Sequence, residues 1–161
     1  MATIKQKITP FLWLNNQAEE AVNFYTSVFK NSKVIAMSRY GDAGPGPKGS
    51  VMTAKFELEG QEFMALNGGP QFRFSEAISF VVNCENQEEV DWFWEKLSEG
   101  GKKIQCGWLK DKFGLSWQVV PVILGQLMSD KDPKKTNNVM KALMQMEKLD
   151  IAKLKEAYEQ V

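Results

Sequence analysis

The feature that most constrains the fold is a repeated order of sequence patterns. Residues 8–67 read as a strand, an amphipathic helix and three further strands, and the series starts again at residue 76. The two helices align as AEEAVNFY and QEEVDWFW, each with an acidic pair followed by an aromatic pair. A duplication on this scale predicts two related β-α-β-β-β modules, and it outweighs any single motif in the choice of fold.

In the first module, we predict a strand over 8–14, a helix over 17–29 and strands over 33–40, 50–58 and 61–67. The helix is indicated by apolar residues that recur at intervals of three and four. The last two strands alternate in polarity around Glu59-Gly60, which is typical of a hairpin. The Gly- and Pro-rich segment GDAGPGPKGS separates two of the strands and predicts a mobile loop.

The second module, residues 76–128, is predicted to contain a strand over 76–84 and a helix from Gln87 that ends at Gly100-Gly101. KKIQCGWL and LSWQVVPV then form two strands around the turn DKFG, in which Asp111 caps the turn with its side chain. This count is one strand short of the first module. We therefore assign an irregular strand to ILGQLMS, after Pro121.

Residues 137–160 are predicted to form a helical tail. Its apolar stripe changes phase near Asp150, which is a suitable N-cap, so two short helices should meet there. Leu143, Met146 and Leu154 are expected to be buried, with the methionines filling a core or an interface. Together these patterns predict an α+β fold of paired β-α-β-β-β modules with a C-terminal helical tail.

Bulk composition excludes several classes of partner. Lysine plus arginine and aspartate plus glutamate both number 20, so there is no excess positive charge to bind nucleic acid. No apolar run is long enough to span a membrane, and the N-terminus shows no signal peptide. The chain has two cysteines, Cys84 and Cys106, which favour a reduced, cytoplasmic protein with inert thiols but do not by themselves exclude one disulfide.

Histidine is absent from all 161 residues. Histidine is the commonest general base and the commonest ligand of transition metals. Catalytic triads that use histidine, and zinc or iron sites that use imidazole, are therefore excluded.

Three stretches and the tail carry a resemblance to a known family: PFLWLNNQAEEAVNFYTSVF, NGGPQFRFSEAISFVVNC, QCGWLKDKFGLSWQVVP and KALMQMEKLDIAKLKEAY. In this order they resemble the PhnB-like branch of the glyoxalase, or vicinal oxygen chelate, superfamily, which is described as 3-demethylubiquinone-9 3-methyltransferase. The resemblance extends over essentially the whole chain and implies one domain, 1–161, with a small-molecule cleft.

The resemblance also implies positions for metal ligands, which in the superfamily are histidine and glutamate. They fall near Pro10, within residues 64–67, at Ala77 and at Gln118, and none of these residues is histidine or glutamate. We therefore predict no bound metal and no cofactor. A methyltransferase that uses S-adenosylmethionine commonly places a Gly-rich loop between a strand and a helix, whereas GDAGPGPKGS lies between two strands.

Gln118 is the central candidate, because an uncharged amide in the position of a metal ligand can orient a polar ligand. The alternative is that the side chain of Gln118 has only a structural role and fixes a neighbouring strand in place. The predicted lining of the cleft is Trp13, Asn67, Arg73, Ser79, Cys106 and Gln118.

Three functions follow from this cleft, and the residues do not choose among them. The first is a metal-free binder of an unknown small molecule, or an enzyme of unknown reaction. The second is a lyase or dioxygenase that holds a hard cation through Asn67 and Gln118. The third is a dimeric interaction module, since a half-open sheet leaves strand edges that a homodimer would cover.

Overall fold

A computed structural model of the chain describes residues 5–160. The chain forms two compact units, residues 1–73 and residues 74–161. Within residues 5–160, each unit contains one four-stranded sheet, with one helix in the first unit and four in the second, as the predicted α+β class requires.

The first unit contains one helix and a sheet in which β1 lies parallel to β4, and β3 is antiparallel to both β4 and β2. The sheet order is β1-β4-β3-β2. The elements are β1 (Phe11–Leu14), α1 (Ala18–Val28), β2 (Ser32–Arg39), β3 (Val51–Leu58) and β4 (Gln61–Asn67).

The core of the first unit lies between α1 and one face of the sheet. The helix buries the residues spaced three and four apart, among them Ala21, Val22 and Tyr25. The ring of Tyr25 is stacked with its centroid 6.2 Å from that of Phe56, which lies 5.4 Å from that of Phe63 on the paired strand. These aromatic contacts fix which face of the sheet meets the helix.

The second unit repeats the order of the first. Its sheet order is β5-β8-β7-β6, with β5 parallel to β8 and the remaining pairs antiparallel. The elements are β5 (Ser79–Cys84), α2 (Gln87–Ser98), β6 (Lys102–Lys103), β7 (Trp108–Lys110) and β8 (Ser116–Pro121). Helix α2 begins at Asn86, whose side chain accepts a hydrogen bond from the backbone N–H of Glu89 at 2.9 Å.

The strand predicted over KKIQCGWL is wrong. The segment folds back on itself as β6 and β7, joined by a turn in which Cys106 and Gly107 both have positive φ, 60° and 80°. A non-glycine residue seldom adopts this conformation, so the sequence carries no obvious turn signal at Cys106. The fold-back supplies the strand that the sequence count lacked.

The irregular strand predicted over ILGQLMS is also wrong, because Val122–Met128 forms helix α3. The tail then forms α4 (Pro133–Leu143) and α5 (Ile151–Glu159). Helix α4 begins earlier than predicted, since Asp132 caps it and Pro133 suits its first turn. The predicted joint is confirmed: the side chain of Asp150 accepts a hydrogen bond from the N–H of Lys153 at 3.1 Å.

The three C-terminal helices share a small core of their own. Leu127, Val139 and Leu154 are buried, and Leu143, Met146 and Tyr158 are partly buried against them. Leu154 is thus buried as predicted, whereas Leu143 and Met146 are only half-buried. Within the described residues, none of the helices has the length and apolar character of a membrane span.

The tail is held to the rest of the second unit by backbone hydrogen bonds. The N–H groups of Cys106 and Gly107 donate to the carbonyls of Met146 and Glu147, each at 2.8 Å. The side chain of Gln87 donates to the carbonyl of Leu149 at 3.0 Å and accepts from the N–H of Ile151 at 2.8 Å. We call residues 146–151 the docking segment.

Candidate functional site

The candidate site lies on one face of the second sheet. Along β8, Trp117, Val119 and Pro121 are buried, whereas Gln118 and Val120, which point to the opposite side, are half-buried. The pairing register places Val81 and Trp108 on either side of Gln118. We define the open face as the residues of this side of the sheet: Ser79, Val81, Asn83, Lys102, Trp108, Lys110, Ser116, Gln118 and Val120.

Gln118 is hydrogen-bonded to Ser79, so the structure brings together two of the predicted site residues. The Nε2 of Gln118 donates to the Oγ of Ser79 over 2.9 Å. The contact joins β8 to β5, which agrees with the alternative that Gln118 ties down a neighbouring strand. It also fixes the orientation of the amide and leaves its Oε1 without a partner among the described residues.

A second hydroxyl on the open face is buried without a partner. The Oγ of Ser116 is the buried side-chain oxygen that makes no hydrogen bond in the described part of the chain. Ser116 is fully buried and lies opposite Ser79 in the strand pairing. An unsatisfied buried hydroxyl costs about 1–3 kcal/mol, so the structure tolerates a local loss of stability at this face.

The open face carries two cations at one edge, Lys102 on β6 and Lys110 on β7. Lys110 forms an ion pair with Glu76, which lies just before β5. The hydrogen bond from Lys110 holds the pKa of the Glu76 carboxyl below its usual value, so this carboxylate stays ionised at neutral pH. Around Gln118 the face presents amide and hydroxyl groups, with Trp108 and two valines as its apolar part.

The residues at the metal-ligand positions implied by the resemblance have the wrong chemistry for a transition metal. Ala77 lies in a turn before β5, and the β5 residue that contacts Gln118 is Ser79. A neutral amide and a hydroxyl are weak donors, and zinc, nickel and iron prefer imidazole, thiolate or carboxylate. The described residues contain no group of three or more cysteine, aspartate or glutamate side chains placed to hold an ion.

The remaining predicted site residues of the first unit have structural contacts. The Nε1 of Trp13 donates to the carbonyl of Gly69 at 2.9 Å, and its ring packs edge-on against Phe72. Asn67 accepts from the N–H of Ala18 at 2.9 Å through Oδ1 and donates to the carbonyl of Val51 at 3.1 Å. Its side chain thus caps α1 from a neighbouring strand.

Arg73 is exposed, and within residues 5–160 it forms no ion pair. The structure therefore offers no contact that would fix the guanidinium in one orientation.

Tyr40 and the Gly-rich loop form a contact that sequence reasoning missed. The hydroxyl of Tyr40 donates to the carbonyl of Asn67 at 2.6 Å, and its ring is buried. A Cβ added to Gly44 or Gly46 would lie 2.5 or 2.3 Å from this ring. These two glycines are therefore required for close packing, which explains them without a phosphate or cofactor.

The two cysteines are free, and neither is placed as a nucleophile. Burial raises the pKa of the Cys84 thiol to about 12, with the charge of Glu89 adding to the effect. Cys106 does not lie on a strand, although the strand predicted over KKIQCGWL includes it. It lies in the β6–β7 turn, with its Sγ 3.6 Å from the carbonyl of Leu143 and 4.0 Å from the Sδ of Met144.

Asp111 is a buried carboxylate used for structure, as the turn pattern predicts. Its Oδ1 accepts from the N–H groups of Phe113 and Leu115 at 2.9 and 3.0 Å, and its Oδ2 accepts from Trp117 Nε1 at 2.9 Å. These bonds engage both oxygens and fix the turn between β7 and β8.

Two cavities lie away from the open face. One, of about 520 Å³, is in the first unit beside Tyr40, Asn67 and the Gly-rich loop. The other, of about 840 Å³, lies between the start of α2 and the docking segment. Its walls include Lys148 and Asp91, whose charged groups pair at 3.0 Å. Neither cavity is lined by Gln118 or Ser79.

Comparison with known proteins places these observations in a family. The profile of the 3-demethylubiquinone-9 3-methyltransferase family matches residues 6–120. A PhnB protein from Bacillus cereus that carries the same description is 43% identical, with 73% of this chain and 100% of that chain covered and a TM-score of 0.68. No functionally curated protein matches the chain.

Two further structures are similar in fold. Protein PA1353 from Pseudomonas aeruginosa is 24% identical, with coverage of 73% and 98% and a TM-score of 0.61. The fosfomycin resistance protein FosX from Listeria monocytogenes is 16% identical, with coverage of 80% and 100% and a TM-score of 0.57. The family match ends at residue 120, so it does not include the helical tail. The resemblance described from the sequence had been expected to extend over the tail as well. The chain belongs to the PhnB-like, 3-demethylubiquinone-9 3-methyltransferase family.

Proposed function

We propose that this protein binds a small organic molecule on the open face of the second sheet, without a metal. The observation that supports this is the Gln118–Ser79 pair, which stands where the resemblance implies a metal ligand and is held at 2.9 Å. Trp108 and Val81 flank the pair and supply an apolar wall, as small-molecule sites commonly have. The described residues of this face offer no general base and no activated nucleophile, so binding is the function proposed.

Replacing Gln118 by leucine tests this proposal. We expect Gln118→Leu to remove binding of small aromatic fragments at millimolar concentration while the melting temperature stays within a few degrees. Binding is measured by NMR as the change in chemical shift on adding the fragment. In the wild type the side-chain N–H signals of Gln118 and Trp108 are followed, and in the variant the signal of Trp108. Gln105→Leu, at an exposed position of the β6–β7 turn, is the matched control. An unfolded Gln118→Leu variant would show that Gln118 serves mainly to join β5 and β8.

A metal-dependent reaction is not part of the proposal. In glyoxalases and extradiol dioxygenases the metal acts as a Lewis acid, and an amide–hydroxyl pair cannot hold one tightly. We expect elemental analysis of the purified protein to find no stoichiometric zinc, nickel or iron, and we expect neither activity. One equivalent of such a metal, lost in Gln118→Ala, would contradict this prediction.

We do not propose that this protein is a methyltransferase, although its family is described as one. The Gly-rich segment of this chain lies between β2 and β3, and its glycines are explained by packing on Tyr40. The protein is proposed to act in the cytoplasm, in keeping with its two free cysteines.

We also propose that the protein forms a homodimer. Large apolar side chains are exposed on α2 and α4, with Trp92 43% and Met140 41% accessible. Light scattering at micromolar concentration is expected to give the mass of a dimer, and Trp92→Glu is expected to lower it to that of a monomer. A wild-type monomer would refute this assembly and leave the binding proposal untouched.

A further inference from the structure

The hydrogen-bonding groups of the open face restrict the ligand more narrowly than its location does. Gln118 uses one of its two Nε2 hydrogens on Ser79, which leaves one N–H donor and the Oε1 acceptor. Ser79 accepts that bond, so its own hydroxyl hydrogen is still available to donate. The pair therefore presents an acceptor beside two donors.

The charge of the face restricts the ligand further. The ammonium group of Lys110 is paired with Glu76, and Lys102 lies on the edge strand β6, separated from β8 by β7. The Gln118–Ser79 pair itself therefore offers only neutral groups to a carboxylate or phosphate. Transferring an anion from water to neutral amide and hydroxyl groups costs free energy that no partner charge recovers. A cation would meet the same difficulty, because no carboxylate of the face is unpaired.

The shape of the face favours a flat ligand. Trp108 lies opposite Gln118 in the strand pairing and is half-buried, and Val81 lies on the other side and is 48% exposed. A planar ring against the indole buries apolar area and keeps its edge directed at the amide.

We infer that the ligand class is an uncharged planar ring that carries an N–H donor next to a carbonyl acceptor, as in a lactam or cyclic imide. The ring N–H donates to Oε1 of Gln118, and the carbonyl accepts from the free N–H of Gln118 or from Ser79. This inference rests on the proposed binding function and specifies the chemistry of the same site. A site whose polar groups match a ligand in this way discriminates strongly against analogues that leave those groups unpaired.

The test compares three bicyclic probes of similar size: 2-quinolone, quinoline and quinoline-2-carboxylate. Affinities are obtained by titrating each probe while the side-chain amide signals of Gln118 and the indole N–H of Trp108 are followed by NMR. We expect 2-quinolone to bind at least about tenfold more tightly than either of the others, which is the effect of about one well-formed hydrogen bond. Ser79→Ala and Gln118→Leu should each remove most of this preference, whereas Gln105→Leu should keep it.

The outcomes separate the inference from the proposal on which it rests. If quinoline binds as well as 2-quinolone, or the carboxylate binds more tightly, the inferred ligand class is wrong and the binding site stands. If no probe shifts the signals of Gln118 and Trp108, both the ligand class and the proposed function are rejected. Ser79→Ala removes only one hydroxyl of a half-buried residue, so it keeps the test decisive even if Gln118→Leu does not fold.

Discussion

Replacing Asp111 by alanine is expected to destabilise the protein by about 3–5 kcal/mol, because a buried acceptor of three hydrogen bonds is lost. The N–H groups of Phe113 and Leu115 and the indole of Trp117 lose their partner together, and Trp117 is itself buried. Urea denaturation followed by tryptophan fluorescence measures the change in the free energy of unfolding.

Two further variants make this test specific. Asp111→Asn keeps an oxygen for the two backbone donors but places an amide nitrogen near Trp117, so an intermediate loss is expected. Lys112→Ala changes an exposed neighbour in the same turn and should alter stability by less than about 0.5 kcal/mol. A loss below about 1 kcal/mol in Asp111→Ala would show that water replaces the carboxylate in the turn.

Truncation after Lys135 is expected to unfold the second unit at room temperature. It removes Val139, Leu149 and Leu154, all fully buried, and each contributes about 1.5–3 kcal/mol. Their sum is comparable to the entire stability of a typical domain. Circular dichroism of the truncated chain, compared with the full chain, measures the loss of ordered structure.

A milder variant tests the same contact without deleting a segment. Leu149→Ala should cost about 2–5 kcal/mol and increase the rate at which Cys106 reacts with a thiol reagent, because the docking segment then opens more often. Met140→Ala, at an exposed position of α4, is the matched control, should cost less than about 1 kcal/mol and should leave the reactivity of Cys106 unchanged. An unchanged melting temperature for both Leu149→Ala and the truncated chain would show that the tail does not stabilise the second unit.

The order of the elements was predictable because each module is marked by an amphipathic helix between apolar strands. The aligned segments AEEAVNFY and QEEVDWFW lie in α1 and α2. Asp150 and Asp111 were also identified correctly, since capping and turn chemistry depend on residues close in sequence. These features are local, and a single sequence contains enough information to find them.

Features that depend on distant contacts were not predictable. Cys106 has a positive φ in a turn whose N–H groups are satisfied by the tail, and no neighbouring residue indicates this. Asn67 caps α1 across a distance of 49 residues, so its amide looked like a possible ligand. Of the candidate site, the sequence indicated Gln118 and Ser79 separately, whereas their hydrogen bond required the parallel pairing of β5 and β8.

The hydrogen bonds from the β6–β7 turn to the docking segment have a consequence for synthesis on the ribosome. The N–H groups of Cys106 and Gly107 donate to carbonyls that are synthesised about 40 residues later in the chain. At a typical elongation rate of about 5–20 residues per second, that delay is about 2–8 s. The first unit can fold while the chain is still being synthesised, whereas the second unit stays incomplete until α4 and α5 have left the ribosomal exit tunnel. A chain stalled near residue 130 would expose the β6–β7 hairpin, without the hydrogen bonds from the docking segment, to chaperones and proteases.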